Sequence, residues 1–280
     1  MGISENPGIL FDSQDSFVDQ NNDGQDTPIA VYNRPADHCA GGILFPIDNN
    51  PTKNLSKPLI DPYAWDDKAD EVVWRGQLSG VTKSQCLPLS HDGPVNLWEN
   101  IERDITKCLR VNYALKHGNK HNIKFSSFQT HKGWMKNSPR KELGMHNRDF
   151  LEKFISKHAH MIGDPIPFLD QLNYKYMLDL DGNNAPGSTI SILKSNSVML
   201  RPEAFWHTII FMDLKPWVHY VPVEYDASDL DDKIKWCRDN DDECKQISAR
   251  ASRYINKFTL EVEQKIEMKI FQRLNNNSNK

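Results

Sequence analysis

The sequence has no apolar run that approaches the roughly 20 residues a membrane-spanning helix needs. Residues 1–20 are polar and acidic, without the basic n-region and apolar h-region of a secretory signal peptide. Basic residues are not in excess, because 34 Lys and Arg stand against 38 Asp and Glu, and the pI is about 6.2. We therefore predict no membrane span, no signal peptide in this sequence and no nucleic-acid partner.

Cysteine is scarce, with five residues in a chain of 280, and no two of them form a C-x-x-C pair. Five cysteines cannot all pair with one another, and a chain of this length does not depend on a disulfide framework. Cys237 and Cys244 lie in a segment whose apolar residues have helical spacing. We predict that both pack in the core.

Several well-known motifs are also missing. The sequence contains neither G-x-G-x-x-G nor G-x-x-x-x-G-K-[ST], and it lacks the G-x-S-x-G elbow of serine hydrolases. The acidic run from Asp179 to Asn183 has some likeness to a calcium loop. Its glycine, Gly182, is fourth instead of sixth, however, and Ile190 occupies the twelfth position where an EF-hand has glutamate. These differences exclude a dinucleotide fingerprint, a P-loop and an EF-hand.

The histidines show no metal-binding pattern. His158 and His160 are two residues apart, and His117, His121 and His131 lie elsewhere in the chain. No H-E-x-x-H motif is present, and H-x-H alone is a weak signal. We expect ordinary histidines and no metal site.

What the chain does have is enough apolar material for a sizeable core, at 38% hydrophobic residues. Short apolar segments alternate with segments of helical spacing, which is typical of an α/β protein with a parallel sheet. We predict strands at 72–74, 174–180, 197–200 and 217–223, and helices at 96–109, 188–195, 203–212, 228–237, from 241 onward and at 259–274. Residues 118–147 are polar and give no clear pattern.

The first part of the chain differs from the rest. Short apolar segments occur at 8–11, 29–32 and 42–46, and residues 48–62 are rich in Pro and Asn. We interpret that last stretch as a linker. The sequence therefore predicts a boundary between a unit at 1–63 and a larger one at 64–280.

Two loops are candidates for ligand binding, because ligands of parallel sheets bind beyond the carboxyl ends of the strands. They are residues 75–82 and 181–188. In the first, Arg75 is followed by Gly76 and Ser79, and a guanidinium with backbone N–H groups suits a diphosphate. An arginine paired with a local carboxylate would explain the same residues, so both interpretations stay open.

A series of motifs then points to a family. They are W-R-G at 74–76, Y-K-Y at 174–176, D-G at 181–182, S-N-S-V at 195–198, L-K-P-W-V-H-Y-V-P-V at 214–223 and N-D at 240–241. In this order they resemble the protein O-glucosyltransferase family, also called the capsule-associated-protein or lipopolysaccharide-modifying glycosyltransferase type. The likeness extends from about residue 65 to residue 258, and the run at 214–223 is its most specific part.

The resemblance implies a GT-B-like α/β fold, in which two Rossmann-like halves enclose a cleft. Residues 64–280 would form the Rossmann-like donor-binding half, and residues 1–63 an incomplete N-terminal acceptor half. Family members move a sugar, commonly glucose or xylose, from a UDP-sugar to an acceptor hydroxyl, with inversion and without a metal or other cofactor. A UDP-sugar and a protein or glycan hydroxyl would thus be the partners, and the endoplasmic reticulum or Golgi lumen the location.

The resemblance also implies particular site residues. The donor-binding set is Arg75, Gly76, Ser79, Asp181, Gly182, Asn183, Ser188, Asn196, Ser197 and Arg201. The first three would lie on the donor phosphates, and the next three would shape the second loop. Trp217 and Tyr220 are expected to pack and not to bind.

The catalytic base would be an aspartate near the amino terminus, which takes the acceptor proton as the oxygen attacks the anomeric carbon. Family members have it after a strand and upstream of a P-I-x-x-F/Y segment. Here Pro28 to Tyr32 matches that segment, so the spacing points to Asp15, with Asp12 as the alternative.

The chain departs from the family pattern in two ways. Ser188 stands where animal glucosyltransferases have a phosphate-binding arginine, and Arg201 or Lys194 could compensate for the lost cation. Residues 1–63 are also too short for a complete acceptor half. The alternative interpretation is therefore a non-catalytic relic or fragment that retains a UDP-binding scaffold.

Overall fold

The computed structural model describes residues 58–79, 106–127, 148–182, 185–208 and 210–278, together with four short strands nearer the amino terminus. These strands are β1 (Leu10–Phe11), β2 (Ile29–Val31), β3 (Arg34–Pro35) and β4 (Ile43–Leu44). β1, β2 and β4 form a parallel sheet in that order. The short apolar segments at 8–11, 29–32 and 42–46 therefore each contain a strand of this sheet.

The main sheet is parallel throughout. Its strands are β5 (Ala69–Gln77), β6 (Asn122–Ser127), β7 (Tyr174–Leu178), β8 (Val198–Arg201) and β10 (Val221–Pro222). Their spatial order is β10-β8-β7-β5-β6, and every neighbouring pair is parallel. Numbered along the chain, these five strands run 2-1-3-4-5 across the sheet, which is the flavodoxin-like, doubly wound order. The prediction of an α/β, Rossmann-like sheet is confirmed for this part of the chain.

Seven helices are described. They are α1 (Leu109–His117), α2 (Arg148–Lys157), α3 (Phe168–Gln171), α4 (Thr189–Lys194), α5 (Leu230–Asp239), α6 (Asp241–Ile255) and α7 (Leu260–Ser278). Within the described ranges, no helix is both long enough and apolar enough to cross a lipid bilayer.

Both faces of the main sheet are covered, because side chains of a strand alternate between the faces. In β7, Tyr176 and Leu178 belong to a core cluster with residues of α1, α5 and α6. Met177, between them, belongs to a second cluster with residues of α4 and the end of α6. The near-continuous apolar runs of the strands follow from this two-sided burial.

The cysteines behave partly as predicted. Cys237 and Cys244 are fully buried free thiols where α5 meets α6, so the prediction that they pack in the core is confirmed. Cys108, which precedes α1, is disulfide-bonded.

The predicted helix at 203–212 is wrong. This segment contains a short strand, β9 (Trp206–His207), which pairs antiparallel with β3, and a 3₁₀ turn at Phe211–Asp213. The backbone N–H groups of Phe205 and Trp206 donate to the carboxylate of Asp181, at 2.7 and 3.2 Å. The segment is therefore held by contacts with distant parts of the chain, which helical spacing in the local sequence does not predict.

The predicted strand at 217–223 is shorter than expected, with only β10 formed. Trp217 has a left-handed backbone, with φ of 63°, and its N–H donates to the carbonyl of Tyr220 at 2.7 Å. This turn reverses the chain before the sheet begins. The ring of Trp217 packs edge-on against Trp236, with 4.7 Å between ring centroids, which fits the expectation that it packs.

Two strands extend beyond what the sequence predicted. β5 continues through Arg75 and Gly76, so both residues lie inside the strand and not in a loop. β6 falls within the stretch that gave no clear pattern, although Ile123 and Phe125 alternate with polar residues and are fully buried. The outer edge of β6 is covered by the segment at 162–163, because Gly163 N–H donates to Phe125 O at 3.0 Å.

A polar contact ties the amino end of β7 to the start of α6. Asp241 accepts hydrogen bonds from the indole N–H of Trp65 at 2.9 Å and from Lys175 Nζ at 2.7 Å. Burial alone would raise the pKa of Asp241, but the hydrogen bonds from Lys175 and Trp65 outweigh it and lower the pKa.

We expect Asp241→Asn to lower the free energy of unfolding by about 1 kcal/mol at pH 7, because a charge-assisted hydrogen bond is lost at a partly exposed site. A lowered pKa contributes stability above the ordinary value of 3.8, and that contribution disappears as the pH falls through the folded value. Urea denaturation at several pH values should therefore show that the difference in unfolding free energy between the wild-type chain and Asp241→Asn becomes smaller in acid. Asp239→Asn is the matched control, and an equal loss there would contradict the assignment.

Candidate functional site

The candidate site lies at the carboxyl edge of the main sheet, beyond β5 and β7. The strand order reverses between these two strands, since β6 follows β5 on one side and β8 follows β7 on the other. In doubly wound sheets, this reversal opens the crevice where ligands bind. Residues 78–79 follow β5 and residues 179–182 follow β7, and these are the described parts of the chain next to the two predicted loops at this point.

Arg110, near the start of α1, joins the two loops. Its Nη1 donates to Ser79 Oγ at 2.6 Å and to Gln77 O at 3.0 Å, after β5. Its Nε donates to Asp181 O at 3.0 Å and its Nη2 to Leu180 O at 2.8 Å, after β7. One guanidinium thus fixes the separation of the loops.

Gly182 is required by this close approach. A Cβ atom on Gly182 would lie 2.6 Å from Ser79 Oγ and 2.6 Å from Arg110 Nη2, distances that side chains do not tolerate. The glycine of the D-G motif therefore lets the second loop contact the guanidinium directly.

Arg110 retains its charge in this setting. Burial lowers the pKa of Arg110 to about 10, while nearby Asp181 and Asp179 oppose the shift, so the group is charged at neutral pH. Its hydrogen bonds go to neutral oxygens, and its other contact is the ring of Trp74 at 5.7 Å. Gly76 makes room for that ring, because a Cβ there would lie 2.3 Å from it.

Arg201, the last residue of β8, has the opposite electrostatic setting. Its guanidinium forms ion pairs with both Asp179 and Asp181, the latter at 2.7 Å, and all three side chains are buried. Burial by itself would lower the pKa of Arg201, but the two carboxylates outweigh it and raise the pKa. Its charge is therefore used within the protein, and the two aspartates are held at the start of the second loop.

Ser188 belongs to the same network. Its hydroxyl donates to Asp179 Oδ1 at 3.2 Å, and Thr189 Oγ1 donates to the other oxygen at 2.8 Å. Burial raises the pKa of Asp179, and the ion pair with Arg201 and the bond from Thr189 oppose that shift. Where relatives are expected to have an arginine, this chain has a hydroxyl that supports a buried carboxylate.

Arg75 does not join this cluster. Its Nε donates to Asp164 O at 2.9 Å, and its Nη atoms donate to Asn122 O at 2.8 Å and Asn122 Oδ1 at 2.6 Å. Asn122 is the first residue of β6, so the guanidinium of Arg75 points toward the amino end of that strand and away from the carboxyl ends where the candidate site lies. Of the predicted phosphate contacts, Ser79 lies with Gly182 and Arg75 does not.

Asn196 and Ser197 lie at the opposite, amino-terminal edge of the sheet. Asn196 Nδ2 donates to Tyr63 O at 2.8 Å, and Ser197 Oγ donates to Tyr174 O at 2.7 Å, where β7 begins. The site thus brings together Ser79, Asp181, Gly182, Ser188 and Arg201, and it leaves Asn196 and Ser197 outside. The predicted base Asp15, its alternative Asp12, and Asn183 lie outside the described residues.

The sequence analysis missed Arg110. No motif contains it, and it stands more than sixty residues from the second loop that it contacts. The signal that could have indicated it is a basic residue at the start of a helix that follows the first strand of the sheet. Chemically, the arrangement offers a retained positive charge, a hydroxyl and loop backbone at one strand edge, which suits an anion.

Comparison with known proteins identifies a family for more than half of the chain. A model of the family described as glycosyl transferase family 90 matches residues 109–269. That range includes α1 with Arg110, the second loop and the L-K-P-W run.

Individual relatives match shorter stretches. Protein O-glucosyltransferase 2 of Danio rerio is 32% identical over 105 residues, which are 36% of this chain and 21% of that protein. Protein O-glucosyltransferase 3 of Homo sapiens is 36% identical over 97 residues, or 35% of this chain and 18% of that protein. Uncharacterized protein 179R of Invertebrate iridescent virus 6 is 38% identical over 127 residues, or 41% of this chain and 10% of that protein. The chain thus matches about a fifth or less of each.

Proposed function

We propose, because the chain belongs to glycosyl transferase family 90, that the carboxyl edge of its main sheet binds the donor of a glycosyl transfer. The donor would be a UDP-sugar, with glucose or xylose as the sugar, and the acceptor a hydroxyl of a protein or glycan. Transfer would invert the anomeric centre and would use no metal or other cofactor at the reaction centre.

The observation that carries this proposal is the contact of Arg110 with Ser79 and the Gly182 loop. It supports diphosphate binding because, among the described residues, this buried guanidinium donates to neutral oxygens, and a buried charge stabilises a nearby anion more than an exposed one does. In this proposal, the charge of Arg110 and the hydroxyl of Ser79 stabilise the UDP that departs as the glycosidic bond forms. Arg201 contributes indirectly, by holding Asp181 and hence the loop backbone.

The remaining parts of the mechanism come from the family resemblance. Asp15, or alternatively Asp12, would take the acceptor proton while the acceptor oxygen attacks the anomeric carbon from the face opposite UDP. Residues 1–63 would contribute to the acceptor side of a GT-B-like cleft that excludes water. The secretory pathway is the proposed location, which the disulfide of Cys108 supports because disulfides persist in oxidising compartments.

Titration of the purified chain with UDP, UDP-glucose and UDP-xylose by calorimetry tests the proposal. We expect micromolar binding of UDP, weaker binding of ADP, and a loss of at least tenfold in Gly182→Ala, because the added Cβ pushes Ser79 and Arg110 apart. Gly163→Ala is the matched control, since its Cβ would meet the side chain of Lys124 instead.

The outcomes separate the two interpretations. Release of UDP from the UDP-sugar, or transfer to an acceptor, that is lost in Asp15→Asn supports the enzyme. UDP binding with no turnover supports the alternative, a non-catalytic UDP-binding scaffold. A folded chain that does not bind UDP at millimolar concentration would contradict donor binding altogether.

A further inference from the structure

A second polar cluster lies at the other end of α1, away from the candidate donor site. His117 is the last residue of α1, His121 follows one turn later, and Asp231 lies in the first turn of α5. One ring nitrogen of each histidine and one carboxylate oxygen of Asp231 all lie within 4.8 Å of one another. The cluster spans two helices that are about 110 residues apart in the chain.

The buried nitrogen of His117 is the most informative atom of this cluster. His117 Nε2 lies 2.7 Å from the carbonyl of Ala227, so this nitrogen carries the proton and donates. Nδ1 is then left with a free lone pair. Among the residues that the structure describes it has no hydrogen-bond partner, and the side chain is buried, with only 7% exposed. It faces Asp231 Oδ1 at 3.4 Å. A buried acceptor without a partner is costly, so its presence calls for a ligand.

This arrangement matches the usual environment of a metal-binding histidine. Such a histidine donates its second ring N–H to a backbone carbonyl or carboxylate, which fixes the ring and directs the other nitrogen at the ion. Here the carbonyl of Ala227 has that role for His117. Ala227 lies in a turn and has a left-handed backbone, with φ of 59°. Its carbonyl oxygen contacts His117 at the end of α1.

The distances leave room for a small ion. Metal–nitrogen and metal–oxygen bonds of about 2.0–2.2 Å in tetrahedral geometry place neighbouring ligand atoms roughly 3.3 Å apart. His117 Nδ1 and Asp231 Oδ1 are already 3.4 Å apart. His121 Nε2 now contacts the same oxygen at 2.7 Å, a hydrogen bond that an ion would replace after a small widening.

The charges around the cluster fit one carboxylate ligand. Lys120 Nζ binds the other oxygen, Asp231 Oδ2, at 2.6 Å, so Oδ1 remains for the ion and Lys120 holds the carboxylate from outside. This lysine also places a positive charge near the site, which opposes cation binding, so the three ligands would have to offset that repulsion.

We propose that His117, His121 and Asp231 form a site for a divalent transition metal of the zinc class, with water in the fourth position. Two imidazoles and one carboxylate suit such an ion better than calcium or magnesium, which prefer oxygen ligands. The ion would join the end of α1 to the first turn of α5. The sequence alone predicted no metal at these histidines, because the third ligand lies far away in the chain.

Calorimetric titration of the metal-free full chain with ZnCl₂, together with Co²⁺ absorption spectra, tests the site. We expect one equivalent of Zn²⁺ with a dissociation constant in the micromolar range or below, and visible Co²⁺ bands typical of low coordination number. His121→Gln and Asp231→Asn should each weaken binding at least tenfold, whereas the control His158→Gln should leave it unchanged. Circular dichroism establishes that each variant is folded.

Thermal unfolding gives a second readout. Saturating Zn²⁺ should raise the melting temperature of the wild-type chain and of His158→Gln, and it should leave His121→Gln unchanged, because an ion that binds the native state stabilises it. The proposal is overturned if the wild-type chain binds no stoichiometric metal, or if both ligand variants retain wild-type affinity. UDP titration of His121→Gln should remain normal, since the cluster lies away from the donor loops.

Discussion

Arg201→Leu should destabilise the protein more than any other single substitution considered for this chain, by about 3–5 kcal/mol. The guanidinium of Arg201 is fully enclosed and forms ion pairs with Asp179 and Asp181, which are buried as well. Without it, two carboxylates would lose their ion pairs in a low-dielectric interior and keep only hydrogen bonds from neutral donors, and burial already raises the pKa of Asp179. Urea denaturation followed by circular dichroism measures the loss.

The matched control is Arg250→Leu. Arg250 also forms an ion pair, with Glu243 at 2.6 Å, but both side chains are partly exposed, so its loss should cost less than about 1 kcal/mol. The loss of unfolding free energy in Arg201→Lys should lie between those of Arg201→Leu and Arg250→Leu, since lysine keeps the charge but lacks the planar guanidinium that contacts both carboxylates. If Arg201→Leu were as stable as Arg250→Leu, the buried network would not hold the loops as described.

Arg110→Met should weaken UDP binding by one to two orders of magnitude, and it is the largest effect on ligand affinity that we expect. A charge-assisted hydrogen bond contributes roughly 1.5–3 kcal/mol, and this substitution also removes the contacts that join Ser79 to the Asp181 backbone. This prediction rests on the proposed donor site. Calorimetry with UDP and with uridine separates the two effects, because loss of the phosphate contact should affect UDP far more.

Arg238→Met provides the matched control for Arg110. Arg238 is exposed and contacts Asp70 near the amino end of β5, at the opposite edge of the sheet. We expect its UDP affinity to be that of the wild-type chain. Arg75→Met is informative as well, because its guanidinium contacts carbonyl and amide oxygens beside β6. A large loss of UDP affinity in Arg75→Met, with no loss in Arg110→Met, would indicate that Arg75, the residue predicted from the sequence, contacts the phosphates.

The sequence predicted the sheet and its binding edge because both depend on local patterns. The run from Tyr174 to Leu180 is rich in aromatic and aliphatic residues, and it ends abruptly in small and polar residues, which indicates a buried strand and the loop after it. The two donor loops followed from this pattern. The family motifs identified the chain because they are contiguous in sequence.

What the sequence could not predict depends on contacts between distant segments. Arg110 and Asp231 act through partners that lie 71 and 110 residues away, and no local pattern specifies such a partner. The helix expected at 203–212 failed for the same reason, since this segment instead pairs with β3 and contacts Asp181, both of them distant in the chain. Asn196 belongs to the S-N-S-V family motif at 195–198. It lies just before β8, however, and therefore at the amino-terminal end of the sheet, away from the candidate site.

The two outermost strands of the main sheet, β10 and β6, have a consequence for how the protein associates. β10 is only two residues long and ends in Pro222, which has no N–H to offer an incoming strand. On the other side, the segment at 162–163 already pairs with Phe125 of β6. Within the described part of the chain, the sheet is therefore closed to strand addition at both sides. Short or paired edge strands of this kind protect a sheet with an apolar interior from edge-to-edge aggregation.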